Sequence, residues 1–298
     1  MQTLNKIVDT IDLALDRFNG RVPDIQNKMF REITVLLKEL DTKSDKIVQS
    51  VENVRRLSKI QKALNNIFET PEYLNSVKEF ASAFGELQTL NNQYFNEIDS
   101  KFKSSEFLAE LKNQSVIDAV ESLTGSGVNA NITSGIKEKI FDAIKSGSSY
   151  NNLLDSIRSE VVSNKESLGK LERYTRQITT DSLNQFNAAY QENVTADLGL
   201  DWFMYNGSLM DTSRDFCKAC VKKKYIHRSE FTKIVKGDFK EFKDIDGKIS
   251  QRTKLPYGMI DGTDSTNFMV RRGGYSCNHK LIPVAKEVVP KEIRQAYE

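Results

Sequence analysis

Gly273-Gly274-Tyr275-Ser276-Cys277-Asn278-His279-Lys280-Leu281-Ile282-Pro283-Val284 sets a Cys-x-His pair directly ahead of an apolar run that ends in Pro-Val. Well upstream, Asp211-Thr212-Ser213-Arg214-Asp215-Phe216-Cys217-Lys218-Ala219-Cys220 carries a Cys-x-x-Cys. These two stretches hold all three cysteines and one of the two histidines of the 298-residue chain. A random scatter of so few such residues would rarely pair them twice. Residues i and i+2 of an extended strand share a face, so a strand over 275–284 points Cys277 and His279 the same way. Residues i and i+3 converge on a helix or in a turn, which brings Cys217 and Cys220 together. Four soft or borderline donors of this kind are the complement of a closed structural zinc site, so Cys217, Cys220, Cys277 and His279 are the expected ligands.

Between the two stretches, residues 221–272 are rich in Lys, Gly and Asp with scattered Phe and read as a mixed insertion, with one helix near 229–242. The large apolar residues between Tyr225 and Tyr275 read as too few to hold so long a segment in register, so burial alone is not expected to fix it. A cross-link between its ends would, and in a reducing compartment a metal is the expected form of it, with a disulfide from Cys217 or Cys220 to Cys277 as the replacement. Ahead of the cysteines, Trp202-Phe203-Met204-Tyr205 is short and wholly apolar, which predicts a buried strand.

Upstream the pattern is helical. Leu171, Tyr174, Ile178, Phe186, Tyr190 and Val194 give a helix over about 167–198, stopped by Gly199 and roughly 45 Å long. Two shorter helices, 133–145 and 149–162, precede it. Leu123-Thr124-Gly125-Ser126-Gly127-Val128-Asn129 is small and polar and reads as the linker between two modules. Before it, apolar residues recur every three to four positions: Leu4 to Phe18, ending at Asn19-Gly20; a second helix opened by Pro23; a third over 44–68; and a fourth begun by Thr70-Pro71-Glu72. Spacing of this kind without sustained heptads argues a packed helical bundle, with its aromatic stripe (Phe80, Phe84, Tyr94, Phe102) as core. The expected fold is therefore mainly α with a small α+β C-terminal part: a bundle over 1–123, then a module over 131–298 whose 200–284 portion is clamped by the Cys/His cluster.

The order Trp202-Phe203-Met204-Tyr205, Asp211-x-x-Arg214-x-Phe216-Cys217, a basic segment with Phe231, and Gly-Gly-Tyr-Ser-Cys-Asn-His before Pro283-Val284 resembles the Mu F-like head-morphogenesis family, the minor head proteins of tailed bacteriophages. The likeness runs from about Asn131 to Val284, most sharply from Arg173, and Arg176-Gln177-Ile178-Thr179 resembles the Arg-x-x-Thr on that family's long helix. Cys217, Cys277 and His279 match the family's recurrent positions. Cys220 does not, and Asn278 stands where Arg is usual, which leaves the fourth ligand open with His227 as the alternative. The resemblance implies a virion protein of the phage head, assembled in the host cytoplasm and acting with portal and capsid proteins in head assembly, DNA packaging or delivery. It implies no enzyme, and an oligomeric arrangement in the virion.

Composition is compatible with this and excludes other classes. Charged residues make up 28%, mean hydropathy is -0.49, and no apolar run approaches a membrane span. Residues 201–298 carry 19 Lys+Arg against 13 Asp+Glu, and residues 1–200 carry 24 against 28, so a basic end follows an acidic helical part. Lys222-Lys223-Lys224 and Arg271-Arg272 are either solvated charge runs or contacts to DNA phosphates. P-loop, dinucleotide and metalloprotease motifs are lacking. The competing class is a metal-dependent nuclease or toxin-like effector carried in the head, with His279 or His227 as its base.

Overall fold

The structure is a computed structural model describing residues 2–164 and 166–297; Met1, Lys165 and Glu298, and with them the outermost limits of the expected modules, lie outside the described residues. Helix α1 (Gln2–Leu37) does not stop at Gly20 but runs through it and through Pro23. Leu15, Phe18, Val22, Ile25 and Met29 are buried along one continuous face across that point. An interior proline costs about 3 kcal/mol. Each large apolar side chain buried on either side returns about 1.5–3 kcal/mol, so the face overrides the break. The helix expected from residue 44 instead starts later, after a hairpin of β1 (Thr42–Lys43) and β2 (Lys46–Ile47) whose turn residues Ser44 and Asp45 take positive φ of 50° and 64°. Ser50 then caps α2 (Val51–Ile67) by accepting the Asn53 N–H at 3.1 Å.

Proline opens α3 (Pro71–Ile98) as expected, and α4 (Glu106–Leu123) follows. The stretch read as a linker is helical: α5 (Gly125–Val128), a π-turn over Asn129–Thr133, then α6 (Ser134–Ser146). Its small residues serve close approach, since a Cβ on Gly127 would lie 2.7 Å from the Glu121 carbonyl oxygen. Val128 and Ile132, each 1% exposed, anchor it. After α7 (Tyr150–Val161) comes the long helix α8 (Lys170–Leu198).

The chain makes two compact units. One comprises Asp12–Ala83 and Val116–Thr179, so that the stretch between the modules expected from sequence lies within it. In its core Phe18 meets Phe80 at 5.6 Å, Tyr73 donates to the Leu123 carbonyl at 2.6 Å, and Gln26 donates to the Val161 carbonyl at 2.7 Å. The other comprises Met1–Ile11, Phe84–Ser115 and Thr180–Glu298. There the latter part of α3 packs on α8 through Phe84 and Phe186, 5.2 Å apart. A buried amide chain joins the same helices: Asn91 donates to Asn187 at 2.8 Å, and Gln191 donates to Asn91 at 2.9 Å.

This second unit holds the small α+β part. Strands β3 (Trp202–Asn206), β4 (Tyr225–His227) and β5 (Lys280–Val284) form an antiparallel sheet in the order β4-β3-β5. Alternation along β3 gives the sheet two faces. Phe203 and Tyr205 enter a core with Phe216, while Trp202 lies opposite with Val284 and Val289. Against expectation, the segment between Tyr225 and Tyr275 supplies much of that core through Ile226, Phe231, Ile234, Phe242, Met259 and Phe268, so burial does contribute to holding it. Pro283 sits on the edge strand, where its missing N–H is tolerated. The fold is thus mainly α with a small α+β C-terminal part, and no helix among the described residues is long and apolar enough to cross a membrane.

Candidate metal centre

Helix α9 (Asp215–Lys223) begins after Arg214, which is in extended conformation, with acidic Asp215 at its positive end and Lys222 and Lys223 at its last turn. It buries Phe216, Cys217, Ala219 and Cys220. The sheet positions the other half of the site, but not as the sequence pattern suggested. β5 starts only at Lys280, so Cys277 and His279 are not alternate residues of a strand. They belong to a loop in which Gly273, Gly274 and Ser276 have φ of 82°, 78° and 56°. Glycine is required at 273 for space as well as conformation, because a Cβ there would lie 2.6 Å from the Cys277 sulfur.

Three groups hold that loop. Arg214 donates from Nη1 to the Gly273 carbonyl at 2.9 Å and from Nη2 to the Tyr275 carbonyl at 2.7 Å. Asp181, on α8, accepts the Ser276 N–H at 2.6 Å. One turn on, Asn184 donates to the Cys277 carbonyl at 3.1 Å. Burial raises the Asp181 carboxyl to about 6, although the Ser276 N–H works in the opposite direction.

The result brings three of the four expected ligands together. Cys217 Sγ lies 3.7 Å from Cys277 Sγ, and Cys277 Sγ lies 3.7 Å from His279 Nδ1. A donor atom from each of the three residues falls within 4.8 Å of the other two. Cys220 is not in this group. On a helix, i+3 stands about 60° round and about 4.5 Å along from i, and the loop approaches only Cys217. Cys220 is instead fully buried in the apolar core, where burial raises its thiol pKa. The alternative fourth ligand, His227, pairs with Trp202 in the sheet and packs on Trp202 and Tyr297 at 4.9 and 5.0 Å, on the face away from Tyr205.

Electrostatics separate the two close sulfurs. The Cys217 thiol hydrogen-bonds to Cys277 and, with help from His279 against the effect of burial, takes the Cys277 thiol down to about 4. Cys217 moves up for the reciprocal reason and because it is buried. Around them, the Tyr205 hydroxyl lies 3.6 Å from Cys217 Sγ, and its ring stacks on His279 with centroids 5.5 Å apart. His279 is 9% exposed, and its Nε2 is buried without a hydrogen-bond partner.

The donor set suits a thiophilic divalent ion. A tetrahedral ion with bonds of about 2.3 Å has ligand-to-ligand edges of about 3.8 Å, close to the two separations measured above. The sequence marked Arg214 as part of the family resemblance, not as a side chain that spans two carbonyls, and gave no role at the site to Asp181, Asn184 or Tyr205. The glycine pair before Tyr275 was the available sign of a loop. Elsewhere, Arg176 pairs with Glu172 at 2.7 Å, and the lysine run is partly committed, Lys222 to Asp244 at 3.1 Å and Lys223 to Glu230 at 2.8 Å. No protein-family model, curated protein or solved structure matches this chain.

Proposed function

We propose that this chain is a bacteriophage minor head protein, a structural and non-catalytic component of the virion that acts with portal and capsid proteins in head assembly, DNA packaging or delivery. One observation carries the reading. The two stretches that bear the resemblance to the Mu F-like family meet in space, with Arg214 gripping the carbonyls of Gly273 and Tyr275 and the Cys217 and Cys277 sulfurs 3.7 Å apart. Residues that resemble a family motif are here parts of one construction, buried and held from three elements, as befits a clamp that fixes a fold.

In this reading the protein is made in the host cytoplasm, joins portal-containing heads and stays in particles once DNA is packaged. Copurification with such heads, followed by detection in finished virions, is the test. Absence from virions overturns the proposal in favour of a removed scaffold or a non-virion enzyme. The nuclease reading draws on one feature, a three-donor cluster that leaves a place on an ion for water. DNA cleavage by the zinc-loaded protein that is lost in His279→Ala would establish it and displace the structural role.

A further inference from the structure

We propose that Cys217, Cys277 and His279 bind one zinc ion through three protein donors, with Cys220 outside the coordination sphere as a packing thiol. The inference stands on the site itself and holds whichever function the chain has.

Geometry carries it. Two sulfurs and an imidazole nitrogen are held with successive separations of 3.7 Å, which are edges of a zinc tetrahedron. They are far longer than the roughly 2.05 Å of a disulfide bond. The sulfurs are drawn together by structure on both sides: α9 carries Cys217, and the 273–279 loop is tied down by Arg214, Asp181 and Asn184. Gly207 contributes on the histidine side, because with φ of 147° it lets the backbone pass where a Cβ would lie 2.6 Å from His279 Cδ2. The imidazole is thereby confined between that backbone and the Tyr205 ring.

Charge and chemistry agree. Two thiolates balance the charge of a divalent cation, so loading adds no net charge to a buried region that already holds the Arg272 guanidinium over the Tyr205 ring at 5.9 Å. Soft thiolate donors select zinc over magnesium or calcium, which take oxygen ligands. Cys220, fully buried among Phe216, Ile226 and Phe242, is accounted for by packing.

The full chain, purified without chelator from cells supplied with zinc, should contain about one zinc per chain by elemental analysis. Replacement by cobalt should give a thiolate-to-cobalt charge-transfer band. That band should lose about half its intensity in Cys217→Ser or Cys277→Ser and keep it in Cys220→Ala, as expected for two thiolates on the ion. Wild-type protein that takes up no metal even with added zinc overturns the proposal, and so does a Cys217–Cys277 disulfide found in protein kept under reducing conditions. Loss of the metal from a Cys220→Ala chain that retains its helical circular dichroism would also overturn it, by restoring a four-ligand site. The intensity of the wild-type cobalt band itself counts the thiolates, two if Cys220 is outside and three if it is a ligand, so a variant that fails to fold leaves the test intact.

Discussion

The Tyr94 hydroxyl donates to the carbonyl oxygen of Pro283 at 2.5 Å, across a sequence separation of 189 residues. A helix from the first third of the chain thus closes on the last strand, and the α+β end is built on helices that precede it by far. Tyr94→Phe keeps the ring and removes the donor to a buried carbonyl, which should cost about 1–3 kcal/mol. Urea unfolding of the full-length variant is the check; an unchanged midpoint would mean that the carbonyl finds another donor.

A second expectation concerns truncation. A fragment ending near residue 125 retains α1 to α4 but lacks α8, against which Phe84 and Asn91 pack. It should be helical by circular dichroism yet expose that apolar face, bind a hydrophobic dye and self-associate. A monodisperse fragment with cooperative thermal melting would show that residues 84–115 do not need α8.

Arg214 offers a sharper probe. Arg214→Lys preserves the charge but cannot bridge the carbonyls of Gly273 and Tyr275 with one planar fork. Loss of a charge-assisted bond of this type costs about 1.5–3 kcal/mol. Its effect should be local, with faster hydrogen exchange at the Ser276 and Cys277 amides and little change in the helices of the other unit. Uniform exchange in wild type and variant would contradict the clamp.

Acid stability should reveal Glu160, which lies 2.8 Å from Lys139 and 3.2 Å from Lys170. Burial alone would raise its pKa, but the hydrogen bonds and charges of the two lysines outweigh it and leave the carboxyl below its ordinary 4.5. A depressed folded-state pKa means stability that is present above the unfolded value and lost as pH falls through the folded one. Glu160→Gln should therefore be less stable at neutral pH, by up to about 1 kcal/mol because the lysine ends are partly solvated. It should also lose less than wild type as pH drops below 4.5. Parallel Tm-against-pH curves would exclude this role.

How far the chain could be read in advance follows from what periodicity encodes. The three-to-four spacing located α2, α3, α6, α7 and α8, because it reports which face is buried, but it left α4 unread and names no partner. Nothing in the residues around Tyr94 says that its hydroxyl meets Pro283. Breaker residues misled where burial continued past them, as at Gly20 and Pro23 in α1, and where small size served packing, as at Gly127. At the site, the pairing of Cys217 with Cys277 and His279 was legible because few such residues exist. The exclusion of Cys220 was not, since it depends on which side of one helical turn a distant loop approaches. Asp181 and Asn184 were hidden for a related reason: they act through backbone groups of the loop, and such contacts leave no pattern in side-chain identity.

Strand β3 turns Tyr205 toward the cysteine sulfurs and Trp202 toward the other face, where it is 5% exposed beside His227 and Tyr297. Trp202 is the only tryptophan in the sequence. The molecule therefore carries a single indole that can be excited apart from its tyrosines, mounted on the same strand as the site yet on the opposite face of the sheet. Its emission reports whether β3 is still paired without touching the Cys217, Cys277 and His279 cluster, so the integrity of the strand can be followed in an unlabelled, unmutated chain whatever is added to that cluster.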